Sequence, residues 1–224
     1  MPVIDDIREN NSKMKGKGIK AQFQYFWDYY KIPTLIVVLV VIFAVSIIKT
    51  MVNSKESAFE AIIINAAGSP SEEEFAEFAE IDTEEFNVIF DSGYYISSDP
   101  EKVDQNTFVN SQKIMAVVSA ASADVMFGDP AVITNYMGAD FFADIRDYLT
   151  DAEFAEFEAN SKIIRYQPVD EDTGAPIGDE FPIAINIGDS PRLEACLLGD
   201  DVYLTILVNT KQPENVKKFI DWLY

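Results

Sequence analysis

Polar and glycine-rich turns follow four short apolar runs of the chain, and these turns hold the residues best placed to bind a ligand. The turns cover residues 65–69, 91–93, 128–130 and 187–190. Ligands of open α/β sheets lie beyond the carboxyl ends of strands, where backbone N–H groups and carboxylates are available. Strand ends also need turn residues for structural reasons alone, so both explanations stay open here. The candidate ligand-binding residues are Asn65, Gly68, Ser69, Asp91, Ser92, Gly93, Gly128, Asp129, Asp189 and Ser190.

The chain contains no histidine and a single cysteine, Cys196. These absences exclude Ser-His-Asp and Cys-His catalysis, HExxH zinc sites and most transition-metal sites. Cys196 stands in the run Leu-Glu-Ala-Cys-Leu-Leu, which favours a small buried hydrophobe over a nucleophile. We therefore expect neither an enzyme nor a cofactor nor a bound metal. An enzyme built on carboxylates alone is the remaining catalytic alternative.

Two motif matches fail when their context is tested. Residues 16–21 fit the G-x-G-x-x-A dinucleotide string, but no strand precedes them and an apolar run follows. Asp170 and Asp172 begin like an EF-hand loop, yet its fifth position is Gly174 and its twelfth is Phe181, where a bidentate Glu is needed. We interpret this second stretch as a solvated, hairpin-like loop.

The most apolar part of the sequence is the uncharged run 32–48. Extended to Val52, it reaches the roughly 30 Å of a bilayer's hydrocarbon core at about 1.5 Å per helical residue. Lys31 and Lys49 bracket it, and Pro33 is predicted to lie in the first turn of the span. A buried core helix is the alternative. An aromatic belt precedes the run: Phe23, Tyr25, Phe26, Trp27, Tyr29 and Tyr30.

The basic residues predict the orientation of this span. Six Lys and Arg precede it, whereas only Lys49 and Lys55 follow closely. The positive-inside rule places the N-terminus in the cytoplasm and the chain from about Glu56 onward outside it. A signal peptide cleaved near residues 44–46 is the competing explanation. The predicted organisation is a cytoplasmic tail with a juxtamembrane helix (1–31), a transmembrane helix (32–52), a connector (53–58) and an extracytoplasmic domain (59–224).

Charge is distributed unevenly along the chain. Residues 56–224 carry 34 acidic and 9 basic side chains, a net charge of −25, whereas residues 1–55 carry +4. So acidic a domain repels nucleic acid and anionic lipid headgroups. The acids either keep an exported domain soluble or attract a cationic ligand or partner. At 169 residues the domain is large enough for a core of its own.

Short apolar strands alternate with helices throughout the outer domain, which predicts an α/β fold with a mainly parallel, mixed sheet flanked by helices. Ser92 and Gly93 are predicted to turn out of the second strand, and Pro182 to mark an edge strand or a crossing point. Phe75, Phe78 and Ala79 are predicted to point inward. The predicted strands are 59–66, 86–91, 123–130, 163–166, 181–187 and 201–208, and the apolar face predicted for helix 105–121 is Phe108, Val109, Met115, Ala116 and Val118.

Four segments together resemble the type 2 periplasmic-binding-protein fold of extracellular solute-binding proteins. They are 123–129 (ADVMFGD), 142–149 (FADIRDYL), the Pro-Ile-Ala strand at 182–184, and 209–220 (NTKQPENVKKFI). The resemblance implies that the first segment is a strand leading to a ligand cleft and that the last is the closing helix. Members of that family are commonly longer, with two full lobes, and are released or lipid-anchored, whereas this chain carries an apolar helix.

The sequence thus predicts a single-pass cell-membrane protein that displays a non-catalytic binding domain outside the cytoplasm. Its partners would be the lipid bilayer and a small solute, a peptide or another envelope protein, with no nucleic acid. The alternative is a structural or scaffolding subunit of a membrane complex that keeps the fold without a working ligand cleft.

Overall fold

A computed structural model of the chain describes residues 18–53, 55–97, 104–160, 162–170, 173–196 and 198–224. They form two compact units, the second of which begins at Lys55. Several predictions lie outside the described residues: the cytoplasmic tail 1–17, the first two residues of the 16–21 string, and Asp172 of the acidic loop. The side chains of Tyr25, Phe26, Tyr29 and Tyr30 in the predicted aromatic belt also lie outside them.

The first unit is one long helix, α1 (Ile19–Asn53). Its segment Lys31–Lys49 has a mean hydropathy of 2.7, and none of that apolar window is buried. Nineteen residues rise about 28 Å, so this helix is long and apolar enough to cross a membrane. Pro33 lies inside the helix, not in its first turn, because the helix already begins at Ile19. Membrane helices tolerate such interior prolines.

The second unit is built on a six-stranded mixed sheet in the order β2-β1-β3-β6-β5-β4. Two neighbouring pairs are parallel and three are antiparallel, so the sheet is mixed but its pairing is not mainly parallel. No α-helix lies between β4, β5 and β6 in the chain, and antiparallel neighbours need no helical crossover, whereas parallel neighbours usually have one. The strands are β1 (Glu56–Ile64), β2 (Phe86–Tyr94), β3 (Val125–Gly128), β4 (Ile163–Tyr166), β5 (Phe181–Asn186) and β6 (Tyr203–Ile206).

Helices cover both faces of this sheet. One face packs against α2, α5 and α6, and the other packs against α3 and α4. Short 3₁₀ helices occur at Met137–Ala139, Ile145–Asp147 and Pro191–Cys196. The α-helices of this unit are α2 (Glu72–Phe78), α3 (Gln105–Ser119), α4 (Pro130–Asn135), α5 (Asp151–Ala159) and α6 (Pro213–Leu223).

Strand β1 is the centre of the core because alternate side chains enter different hydrophobic clusters. Phe59, Ala61 and Ile63 belong to one cluster, whereas Ile62 and Ile64 belong to the other. This alternation follows from the two-residue period of a strand. On the first face Phe59 packs with its ring centroid 4.8 Å from that of Phe75 and 4.8 Å from that of Phe219, which joins α2 and α6 to the sheet.

The prediction of a turn at Ser92 and Gly93 is wrong, because β2 continues to Tyr94. Asp91 lies opposite Ile62 and Tyr94 lies opposite Ile64, so the pairing shifts register between them. Two residues of β2 therefore face one of β1, which is a β-bulge. Glycine within a strand is a common signal of a bulge as well as of a turn.

The face predicted for α3 is also wrong in part. Phe108, Val109 and Met115 are 59%, 40% and 44% exposed, and Ala116 is exposed as well. The reason is that polar residues of the helix bond to the chain that follows β2. The Thr107 hydroxyl accepts a hydrogen bond from the Ser97 N–H at 3.1 Å, and the Asn110 amide donates one to the Tyr95 carbonyl at 3.0 Å. The buried residues of α3 are Thr107, Asn110, Ile114 and Val118.

Pro182 does not mark an edge strand, since β5 lies between β6 and β4. It faces Arg165 next to a register shift in the β4–β5 pairing. Such an irregularity is the other place where a sheet accepts a residue without a backbone N–H.

The packing of Phe59 predicts a large difference between two phenylalanines of this domain. Phe59→Ala should lower the free energy of unfolding by about 3–5 kcal/mol, because it opens a cavity among packed rings. Phe78→Ala is the matched control and should cost about 0.5 kcal/mol, because Phe78, predicted to point inward, is 49% exposed. Denaturant unfolding of the full chain in detergent, followed by tryptophan fluorescence, measures both. Equal losses would contradict the described packing.

Candidate functional site

The carboxyl ends of β1, β2, β3 and β5 lie at one edge of the sheet. The first three strands are parallel, and β5 has the same direction because both β3 and β5 are antiparallel to β6. However, β6 separates β3 from β5. The predicted ligand-binding residues are thereby divided into a group around β1 to β3 and a group that follows β5.

Asn65 and Asp129 meet at this edge, but their side chains bind the chain itself. The Asn65 amide nitrogen donates to the Ile96 carbonyl at 2.9 Å and to the Asp129 carboxylate at 3.2 Å, while its amide oxygen accepts from the Ile96 N–H at 2.9 Å. Asp129 also caps α4 by accepting from the Val132 N–H at 2.9 Å. These bonds join the ends of three strands and explain the positive φ of Asn65, 63°.

Asp91 at the β2 bulge also takes part in local bonds. Its carboxylate accepts a hydrogen bond from the Gly93 N–H at 2.9 Å and bonds the hydroxyl of Tyr94. Burial, followed by the charge of Asp91, raises the pKa of Tyr94 to about 12. Ser92 lies beside them in the bulge.

Three further predicted residues lie where the backbone is closely packed or partly covered. A Cβ on Gly68 would stand 2.5 Å from the Ala195 carbonyl oxygen, and one on Gly128 would stand 3.2 Å from the Cβ of Ile64. Gly68 therefore lets the loop after β1 rest on the 3₁₀ helix Pro191–Cys196. Ser69 follows in the same loop and is half-buried.

The two predicted residues after β5 hold the end of helix α6. The buried Ser190 hydroxyl donates to the Leu223 carbonyl at 2.6 Å, which satisfies one of the last carbonyls of the helix. Asp189 pairs with Lys162 at 2.5 Å and accepts from the Tyr224 hydroxyl at 3.3 Å. Its hydrogen bond with Lys162 keeps the pKa of Asp189 below its usual value.

Beside Asp189 is an open pocket of about 330 Å³ between α5 and α6. Of the ten predicted residues, only Asp189 lines it. The signal that could have found it is the spacing of Glu153, Glu156, Phe157 and Asn160 at i, i+3, i+4 and i+7, one face of α5. The residues that line the pocket are Leu149, Glu153, Glu156, Phe157, Asn160, Lys162, Asp189, Ile220, Asp221 and Tyr224.

The pocket combines an apolar surface with an excess of carboxylates. Glu153 bonds back to the Thr150 N–H at 2.7 Å as part of the cap of α5, and Asp189 is paired with Lys162. Glu156 and Asp221 are exposed at the pocket. Burial, followed by the neighbouring charge of Asp189, raises the pKa of the Tyr224 hydroxyl, so this phenol stays protonated.

A second cavity, of about 420 Å³, lies at the opposite edge of the sheet and includes Glu60, Asp124 and Lys211. Asp124 accepts hydrogen bonds from the Glu60 N–H at 2.9 Å and from the Thr210 hydroxyl. Burial raises the pKa of Asp124. Burial, and then the charges of Asp91 and Asp124, raise the pKa of Glu60 to about 7. Exposed and half-buried residues line most of this cavity, and Asp124 is the buried member of its lining. The Asp124 carboxylate stabilises backbone N–H groups there.

The chemistry available in these two places is charge pairing and hydrogen bonding. Burial raises the pKa of the Cys196 thiol to about 11, so it stays protonated at neutral pH and is a poor nucleophile. Among the described residues, no group of three or more His, Cys, Asp or Glu side chains is arranged to hold a metal ion.

No protein-family model, no curated protein and no solved structure matches the chain. Its function must therefore be inferred from the geometry and charge of its own residues, and the likeness to solute-binding proteins stays a prediction.

Glu60 predicts a dependence of stability on pH. Its pKa is raised from 4.5 to about 7 on folding, so the folded state holds a proton that the unfolded state releases. The resulting stabilisation is present below pH 4.5 and is lost as the pH rises through 7. Glu60→Gln should stabilise the protein at pH 8 by about 1 kcal/mol, a value reduced for solvent screening of this half-exposed group.

Denaturant unfolding at pH 5 and pH 8 measures this effect, and Glu77→Gln on the exposed side of α2 is the control. Similar changes in the free energy of unfolding for both variants at pH 8 would contradict the raised pKa of Glu60. So would a free energy of unfolding that rises from pH 5 to pH 8 more steeply in the parent chain than in Glu60→Gln.

Proposed function

We propose that the chain is a single-pass membrane protein, with its N-terminus in the cytoplasm, whose outer α/β domain binds a small organic cation without transforming it. The observation that carries this proposal is the pocket between α5 and α6, in which an aromatic pair lies among carboxylates. We therefore place the binding site in this pocket and not at the strand-end turns. Asp189 is the one residue of those turns that lines the pocket.

The size and the lining of the pocket suit a small ligand with an apolar part. Its volume of about 330 Å³ falls in the range of small-molecule sites, roughly 300–1,000 Å³. Leu149, Phe157 and Ile220 contribute apolar surface to it. A ligand that covers this surface gains from the removal of apolar area from water.

The charge of the pocket favours a cation. Four carboxylates line it against one ammonium group, and that ammonium group, on Lys162, is already paired with Asp189. Glu156 and Asp221 remain to attract a positive ligand group. The net charge of −25 on residues 56–224 adds a long-range field that raises the local concentration of cations.

The aromatic rings provide a second attraction for the same charge. Phe157 and Tyr224 lie edge to face, with their ring centroids 6.1 Å apart. Ring faces attract ammonium groups, by about 0.5–1 kcal/mol at exposed sites and more when the charge is desolvated. A substituted ammonium group, which is large and weakly hydrated, fits this combination better than a metal ion.

The alternative function, a structural subunit of a membrane complex, is favoured by a different observation. The side chains of Asn65, Asp129 and Ser190 at the strand ends are bonded to the chain itself. Binding at those turns, as the likeness to solute-binding proteins implies, would require these bonds to break. A scaffold would need them intact and would leave the pocket empty.

Calorimetry on the full chain in lipid nanodiscs tests cation binding. Choline, spermidine and arginine methyl ester are the probes, and 3,3-dimethylbutanol serves as the neutral analogue of choline. We expect at least one cation to bind, with an affinity that falls as salt is added, and we expect the neutral analogue to bind more weakly. The double variant Glu156→Gln, Asp221→Asn should weaken binding about tenfold or more, which is 1.4 kcal/mol.

Glu77→Gln, which removes a carboxylate charge from α2, is the matched control. It should leave the affinity for the cation within a factor of two of that of the parent chain. Heats that are equal for choline and its neutral analogue, or equal losses in the control and the double variant, would contradict a cation site. No binding by any of the three cations would favour the scaffold.

A further inference from the structure

Helix α3 presents an apolar surface to solvent that the core does not use. Phe108 and Met115 are seven residues apart, two helical turns or about 10.5 Å along the axis, and both are exposed. Val109 is exposed beside Phe108, and Gln112 lies between the two larger side chains on the same side of the helix. The outward face of α3 is defined here by these four residues.

This face lies in the longest stretch of the outer domain without an acidic residue. Acids make up 34 of the 169 residues after Lys55, one in five, but residues 105–123 contain none. The only charged side chain in these 19 residues is Lys113. Other exposed helices of this domain do contain acidic residues, since α5 carries four of them in nine residues.

We propose that the outward face of α3 binds the same face of a second copy of the chain. The charge distribution selects this partner, because two domains of −25 repel one another across every surface that carries acids. A helix face that is free of acids is the place where two copies can approach at the lowest electrostatic cost.

The spacing of the residues fits a two-fold axis. In an antiparallel pair of α3 helices with the axis near Gln112, Phe108 of each copy packs against Met115 of the other. Such an isologous contact is self-complementary, which is the rule for dimers with two-fold symmetry. Lys113 lies next to the axis at the border of the face, where solvent screens it.

The contact depends on the membrane. One pair of helices buries less than the roughly 1,200 Å² of a stable interface between free proteins. Two chains anchored in one bilayer by α1 meet at a raised effective concentration, which compensates for a small interface. The dimer is therefore expected in membranes and not in dilute solutions of the released domain.

Cysteine cross-linking of the full chain in liposomes tests the dimer. Cys196 is fully buried, so the parent chain supplies no accessible thiol among the described residues. Gln112→Cys places a thiol near the proposed axis, within reach of its copy. Mild oxidation should convert this variant to a covalent dimer at least about tenfold faster than Lys217→Cys, an exposed position on α6 that controls for random collision.

Adding Phe108→Asp and Met115→Asp to Gln112→Cys should slow its cross-linking about tenfold or more, because the new carboxylates of one copy would lie opposite those of the other, where like charges repel. Ile177→Asp, at another exposed apolar residue, should not slow it. Circular dichroism checks the fold of each variant, and the comparison of Gln112→Cys with Lys217→Cys stands without the aspartate variants.

Equal cross-linking rates at Gln112→Cys and Lys217→Cys would overturn the proposal. So would quenching of a fluorophore on the Gln112→Cys thiol by spin-labelled lipid, which would place the face of α3 on the bilayer. Cross-linking is independent of the cation pocket, since Glu156→Gln and Asp221→Asn leave α3 unchanged.

Discussion

The structure of the α/β domain depends on the burial of strand β1 from both sides. Phe59 and Ile63 are completely buried in one hydrophobic cluster, and Ile62 and Ile64 are completely buried in the other. A strand with two apolar faces must be covered by helices on each, and its backbone groups must be paired with strands on each side. The alternation of helices and strands, the aromatic packing of α2 and α6, and the gathering of strand ends at one edge all follow from this requirement.

An element could be predicted from the sequence where the spacing of its apolar residues alone indicates which side chains are buried. Helix α6 packs Val216, Phe219 and Leu223 inward as its period indicates, and β4 has its predicted limits. Helix α3 could not be predicted in the same way, because Thr107 and Asn110 form hydrogen bonds to the segment that follows β2. Those bonds turn the helix so that larger apolar side chains face water. The antiparallel half of the sheet likewise depends on which strands meet, and local propensity does not contain that information.

The residues of the pocket likewise could not be predicted from the sequence as one site. Asp189 could be identified as a strand-end carboxylate, but its neighbours Glu156, Phe157 and Tyr224 come from elements that the chain brings together only on folding. In the proposed account the acidic charge has two consequences. It attracts cations towards the pocket, and it leaves the acid-free face of α3 as the surface through which two copies can meet. The dimer also requires that α1 anchor the chain in a membrane, and the proposed function places the α/β domain on the outer side of that membrane.

The most direct measurement is therefore the labelling of intact cells with a membrane-impermeant maleimide. Glu77→Cys reports on the outer domain and Ser12→Cys on the tail, and the buried Cys196 contributes little background. The account predicts that Glu77→Cys is labelled on intact cells, whereas Ser12→Cys is labelled only after the cells are opened. Labelling of Ser12→Cys on intact cells with protection of Glu77→Cys, or protection of both until the cells are opened, would contradict it.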